Sequence, residues 1–321
     1  MPENPKAQKS SRTAAGLVLL ALLVVLFPLV ACGGGTASST TTTPPPPPPA
    51  GPYNPATAVL VWSDEFNGAT APSAPNPANW TYDTGGGGWG NNELETYCAY
   101  GSNAAPCSTS TPNAYVGTDG YLHIVAVKNA QGQYTSARIT TQGLQSFQYG
   151  RIEASIQIPQ GQGLWPAFWM LGDNINTVPW PGCGEMDIME NIGSQPTINT
   201  GSIHGTGFTG TMIGTQYVLP NGADFSSGFH TFGIIWSPQI VQYYVDSPSN
   251  IYATYTPSSL PSGAVWPFDS GKFFFIINLA VGGNYPGSPN ANTAFPAEVL
   301  VDYVRVWQDP PPTSTAQPAH P

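Results

Sequence analysis

Between Thr57 and Gln308 no segment keeps apolar residues at a 3.6-residue spacing for three turns, and Gly or Pro breaks almost every window in which a helix would have to grow. The stretch carries period two instead. RIEASIQIP, residues 151–159, sets Ile152, Ala154, Ile156 and Ile158 against Arg151, Glu153, Ser155 and Gln157. YLHIVAVK (121–128) alternates as well, and HTFGIIWS, QIVQYYVD, KFFFIINLAV and AEVLVDYVRVWQ follow with turn residues between them. Many short strands with no room for crossover helices predict an all-β, antiparallel sandwich. FFFIINLAV is apolar at nearly every position, which places it mid-sheet and buried on both faces.

The ends of the 321-residue chain read differently. Lys6, Lys9 and Arg12 precede the apolar run AAGLVLLALLVVLFPLVAC, which closes at Cys32. A basic start, an apolar centre and small residues at the end describe an export signal over 1–31. The run is nearly long enough for a transmembrane anchor. LVAC, however, resembles the bacterial lipobox, in which cleavage before the Cys leaves Cys32 as a lipid-bearing N-terminus. Residues 32–56, rich in Ser, Thr and Pro, have little to bury and read as a linker holding the domain off a membrane. The expected organisation is therefore signal (1–31), linker (32–56), one β domain (57–309) and a Pro-rich tail (310–321), exported and tethered by lipid to the cell envelope.

The formal charge is −10; removing Lys6, Lys9, Arg12 and Glu3 with the signal leaves five basic against 17 acidic residues. Such a chain repels nucleic acid and anionic surfaces, so a neutral substrate fits better than a polyanion. The expected partners are a polysaccharide and, through lipid alone, a membrane; the domain is expected to be monomeric. Cys98 and Cys107 flank the small-residue loop AYGSNAAP and are expected to form a disulfide in an exported protein. Cys183 is then left over and reads as a small buried hydrophobe, since no CxxC or HxxxH spacing offers a Zn site.

In a chain only 8% charged, GEMDIMEN (184–191) crowds Glu185, Asp187 and Glu190 onto one short apolar segment. On a helix the three would point in diverging directions. On a strand Glu185 and Asp187 share a face and Glu190 falls on the other, unless one extra residue among 188–190 forms a bulge and returns it. Met186 and Ile188 then face the core. Three acids on one face repel one another. An acidic face suits Ca²⁺ binding or simple solvation, but a close carboxyl pair suits retaining glycoside hydrolysis, one acid attacking the sugar and the other protonating the leaving oxygen. The flanks favour sugar chemistry: GLWPAFWML (163–171) and VPWPGC carry Trp165, Trp169 and Trp180, whose faces stack on sugar rings.

GLWPAFWMLG followed by WPGCGEMDIMENIG strongly resembles glycoside hydrolase family sixteen, most of all its laminarinase branch of endo-β-1,3-glucanases, with the signature E-x-D-x-x-E. The resemblance extends, in the family's order, through VWSDEFNG, GGWGNNELETYC, QSFQYGRIEA, GSIHGTGFTG, NLAVGGNYPG and VDYVRVWQ. It implies a jelly-roll sandwich of two antiparallel sheets with a concave cleft, Glu185 as nucleophile, Glu190 as acid/base and Asp187 as helper. It further implies that Trp89, Asn91, Trp165, Trp169, Trp180, His204 and Asn284 line the cleft. No cofactor is expected for catalysis. A structural Ca²⁺ is implied at Asp302, with backbone carbonyls of Glu65 and Gly120. The substrate implied is β-1,3-glucan, with mixed-linkage β-1,3-1,4-glucan a second candidate; a non-catalytic glucan-binding module and a transglycosylase are the alternatives. One departure stands out: where the laminarinase pattern usually has Arg after YGRIEA, this chain has Ser155, which predicts a cation missing from the cleft.

Overall fold

The computed structural model describes residues 52–209 and 213–310. The signal, Cys32, most of the linker and all but the first residue of the tail lie outside them.

Seventeen strands follow in chain order. They begin β1 (Val59–Asp64), β2 (Thr81–Asp83), β3 (Glu95–Tyr97), β4 (Ala114–Val116), β5 (Leu122–Lys128) and β6 (Tyr134–Ser136). Then come β7 (Arg138–Thr140), β8 (Gly150–Gln157), β9 (Leu164–Gly172), β10 (Glu185–Glu190), β11 (Ile198–His204) and β12 (Ile213–Val218). The series closes with β13 (His230–Ser237), β14 (Ile240–Val245), β15 (Ile251–Tyr255), β16 (Phe273–Val281) and β17 (Ala297–Gln308). Two single-turn 3₁₀ segments are the only helical elements among the described residues. The strands form a ten-stranded sheet, β15-β14-β13-β8-β17-β5-β6-β3 with β1 on β17 and β4 on β5, and a seven-stranded sheet, β12-β11-β10-β9-β16-β7-β2.

All pairings are antiparallel except one: β3 runs parallel to β6. That short pair is the one departure from the expected antiparallel arrangement of the two sheets. A long connection, carrying the Cys98–Cys107 disulfide and β4 and β5, separates the two strands, and such a crossover permits the parallel arrangement that a hairpin does not.

The core lies between the sheets and follows the alternation. On β8, Ile152, Ala154 and Ile156 enter it, while Glu153 and Ser155 take the opposite face. On β16, Phe273, Phe275, Ile277, Leu279 and Val281 enter it. Their neighbours Phe274 and Ile276 join a smaller cluster with Leu171 and Cys183 on the far side. All nine residues of β16 are buried, as its sequence predicts. Each Phe so enclosed contributes about 1.5–3 kcal/mol relative to exposure. Cys183 is free and buried. Upstream of β1, Tyr53 and Asn54, assigned by composition to the linker, donate their backbone N–H groups to Ser237 Oγ (3.0 Å) and Asp309 Oδ2 (2.6 Å).

Candidate active site

The outer face of the seven-stranded sheet carries a cleft of about 560 Å³. Its floor comes from alternate residues of adjacent strands. β9 supplies Trp165, Ala167, Trp169 and Leu171, while Leu164, Phe168 and Met170 turn into the core. β16 supplies Asn278 and Ala280.

On β10 the alternation breaks as the acid spacing requires. Asp187 pairs with Trp169 and Met189 with Phe168, two steps on β10 against one on β9. On the other side Asp187 pairs with Ser202 and Glu190 with Thr200. The extra residue is a β-bulge. Ile188 and Met189 are consecutive, yet both enter the core. Glu185, Asp187 and Glu190 therefore share the cleft face.

Each acid has its own partners. Trp180 Nε1 donates to Glu185 Oε2 at 2.6 Å, and Trp165 Nε1 donates to Glu190 Oε1 at 3.0 Å. Buried Asp187 accepts from Ser202 Oγ at 2.7 Å, and its Oδ2 lies 3.2 Å from His204 Nε2. His204 stands directly across from Glu185 in the β10–β11 register.

Burial first, and the charge of Asp187 second, push both Glu185 and Glu190 up to about 8. The indole N–H groups and His204 oppose that rise in both. The indole bond is shorter at Glu185, and His204 is its direct neighbour across the β10–β11 register. Burial alone would lower His204, but its hydrogen bond to Asp187 and the charges of all three acids outweigh this and lift it to about 9. His204 is thus a cation at neutral pH. Glu185, Asp187 and His204 also offer ligand atoms within 4.8 Å of one another; a metal there would have to displace the imidazole proton.

Trp89, Asn91, Trp165, Trp169, Trp180 and His204 all line the cleft, as the resemblance implies. Asn284 does not. Its backbone N–H donates to Asn91 O (2.8 Å) and its Oδ1 accepts from Asn92 (2.9 Å), so it ties two loops together at the rim. The adjacent Tyr285 takes the lining position, 5.3 Å from Trp165 between ring centres.

Trp89 sits at φ 45° between Gly88 (85°) and Gly90 (82°). This left-handed run curls the loop so that Gly88 O receives the N–H groups of Asn91 and Glu93. The curl is why GGGGWGNN is so rich in Gly.

Ser155 does not leave the cleft short of a cation. It lies on β8 of the other sheet, paired with Thr231 and Tyr303, on the face turned away from the core. The alternation that sends Ala154 and Ile156 inward sends Ser155 outward. Arg138 on β7, opposite Asn278, supplies a guanidinium to the cleft. It lies 5.0 Å from the Trp89 ring and 4.7 Å from the Trp169 ring, and its Nε donates to Asp83 at 2.9 Å. Arg138, Glu93, Asn278 and Tyr285 went unmarked in the sequence. For Arg138 a signal existed: it is one of only five basic residues outside the signal.

The proposed metal ligands lie elsewhere. β17 pairs with β1 as far as Val304↔Asp64 and with β5 from Val301↔Leu122. Asp302 occupies the gap between those two strands, and Glu65 and Gly120 belong to the segments bordering it. The Glu65 carboxylate is taken by Arg305 (2.9 and 2.7 Å), leaving its carbonyl. One carboxylate with backbone carbonyls is an oxygen donor set of the kind Ca²⁺ accepts.

The family model of glycosyl hydrolases family 16 matches residues 102–297. A beta-glucanase of Rhodothermus marinus is 37% identical over 262 residues, covering 78% of this chain and 85% of that protein. The laminarinase catalytic domain of Thermotoga maritima superposes with a TM-score of 0.69 at 41% identity, over 79% of this chain and 99% of that one. The endo-beta-1,3-glucanase of Pyrococcus furiosus gives a TM-score of 0.69 at 40% identity, over 81% and 98%.

Proposed function

We propose, for a chain that belongs to the glycosyl hydrolases of family 16, that it cuts β-1,3-glucan internally with retention of configuration. The observation that carries this reading is the bulge in β10, which sets Glu185, Asp187 and Glu190 on one face of a Trp-walled cleft. Glu190 enters the reaction protonated and gives its proton to the leaving glycosidic oxygen. Glu185, ionised, attacks the anomeric carbon and forms a glycosyl ester. Glu190, now a base, takes a proton from water, which attacks that carbon and releases Glu185. Asp187, by its charge, helps hold the proton on Glu190 and fixes His204, whose cation favours ionised Glu185. Trp165, Trp169 and Trp180 offer ring faces to the sugars.

A bare binding module has no use for this arrangement, since burying two mutually repelling carboxyls costs stability without aiding stacking. Mixed-linkage glucan is a second substrate of the same chemistry. Ca²⁺ between Asp302 and the carbonyls of Glu65 and Gly120 would staple β1, β5 and β17 on the sheet opposite the cleft, with no part in the reaction. Export and lipidation at Cys32 form part of the same proposal: export rests on the basic start and the apolar run, lipidation on LVAC; failure of Cys32→Ser to abolish envelope attachment removes the lipidation.

The test is product analysis on β-1,3-glucan, using the domain from Thr57 beside Glu185→Ala. Oligosaccharides with initial β configuration from the wild type, and none from the variant, support the assignment. Cleavage of mixed-linkage glucan alone moves the substrate. Binding without cleavage of any β-glycan overturns the enzyme reading.

A further inference from the structure

Behind the Trp89 wall lies a second pair of acids. Glu95, on β3, is 1% exposed. Its Oε2 accepts the backbone N–H of Val281 on β16 at 2.7 Å, and its Oε1 is buried with no hydrogen-bond partner. Among the described residues no cation pairs with it. Arg138, a cation of the same cleft, is committed to Asp83 and the two indole rings. Across the parallel pairing Glu95 stands opposite Tyr134 of β6, and Glu93 lies two residues back in the chain.

Glu93 is the hub of the cleft wall. Its Oε1 accepts from Asn91 Nδ2 at 3.2 Å and its Oε2 from Tyr97 Oη at 3.0 Å. Tyr97 packs against Trp89, 5.3 Å between ring centres, and accepts from Asn278 Nδ2 at 3.2 Å. Asn278 Oδ1 in turn holds the indole N–H of Trp169 at 2.8 Å. Glu93 thus reaches both walls of this end of the cleft, Asn91 on one side and Tyr97, Asn278 and Trp169 on the other.

We propose that Glu95 is a positioning residue: it carries a proton on its buried Oε1, which lets Glu93 remain a carboxylate beside it, and loss of that proton releases the Trp89–Asn91 wall and weakens the grip on glucan. Burial first, then the hydrogen bond and charge of Glu93, push Glu95 up to about 8, so it is protonated at neutral pH. Once ionised, it places an unpaired buried charge next to Glu93. Glu93 then has every reason to swing toward solvent, dropping Asn91 and Tyr97. The inference rests on the glucanase reading, because the effect is on substrate affinity.

The experiment compares wild type with Glu95→Gln from pH 6 to 9.5, reading KM and kcat on β-1,3-glucan together with Tm. The amide keeps an acceptor for Val281 and cannot ionise. Wild-type KM is expected to rise about threefold or more above pH 8 relative to the variant, whose KM stays level, with kcat following one profile in both. Because the Glu95 carboxyl is raised on folding, the stability tied to its proton is complete below its unfolded value near 4.5 and gone above about 8. Wild-type Tm should therefore fall relative to the Glu95→Gln variant across that window. Identical KM profiles overturn the proposal. So does a variant that fails to fold at neutral pH, since replacing a buried ionisable group by its neutral isostere should not cost stability. A wild type that cleaves no glucan at all fails the underlying reading instead, and the Tm comparison still decides whether Glu95 holds its proton.

Discussion

Trp180 donates its indole N–H to Glu185 Oε2 at 2.6 Å while half of its surface faces solvent. One residue thus offers a ring to the sugar and an N–H dipole to the nucleophile. The bond favours the ionised carboxylate. Trp180→Phe keeps a ring and removes the donor. A hydrogen bond to a charged group contributes about 1.5–3 kcal/mol, so kcat near neutrality should fall roughly tenfold or more. Glu185 becomes harder to ionise, so the acidic limb of the kcat profile should move to higher pH. An unmoved limb would show that the indole does not tune Glu185.

His204 is raised on folding, from its ordinary 6.5 to about 9. The stability tied to its charge is therefore complete below pH 6.5 and disappears as the pH passes 9. His204→Gln should melt well below wild type at about pH 6, with the gap closing by about pH 9.5. A gap independent of pH would mean that only packing was lost.

Deleting Ile188 removes the residue that makes the bulge. Glu190 then follows Glu185 at i+4, an even offset that keeps it on the cleft face, and Met189 takes the core position. We expect a folded protein, less stable by about 2–5 kcal/mol for the lost core side chain, with measurable glucan cleavage. Deleting Ile188 and Met189 together leaves an odd offset, turns Glu190 into the core, and should abolish both fold and activity. Denaturant melts and product release on the two variants check this.

Cys98 and Cys107 close a short loop. Loop-closure entropy predicts that Cys107→Ser lowers stability by roughly 2–3 kcal/mol. The loop leaves β3 just after Glu95 and Tyr97, so KM should rise more than kcat falls. Equal Tm values with and without reductant would contradict the first part.

Much of the site was legible because strand chemistry is local. The period of two assigns Ile152, Ala154 and Ile156 to the core without knowledge of any neighbour. The odd offset of Glu190 demands a bulge, and the bulge is there. The resemblance carried the Trp positions, and six of the seven cleft residues it implied line the cleft. Ser155 shows the limit. Its side of the strand follows from alternation, but which sheet the strand joins does not, and the cation expected there is supplied by Arg138 from the other sheet.

By itself, then, the sequence determined that the chain forms strands, which residues of an alternating strand such as β8 enter the core, and that Glu190 could join Glu185 and Asp187 on one face only through a bulge. Those features depend on residues a few positions apart. Only the tertiary structure decided that β16 lies beside β9 and β7, so that Asn278 meets both Trp169 and Tyr97, and that Glu95 is buried under Val281, 186 residues away. The physical reason is that strand pairing is non-local: backbone hydrogen bonds can join any two strands, and the choice is made by how all the apolar faces close over one core.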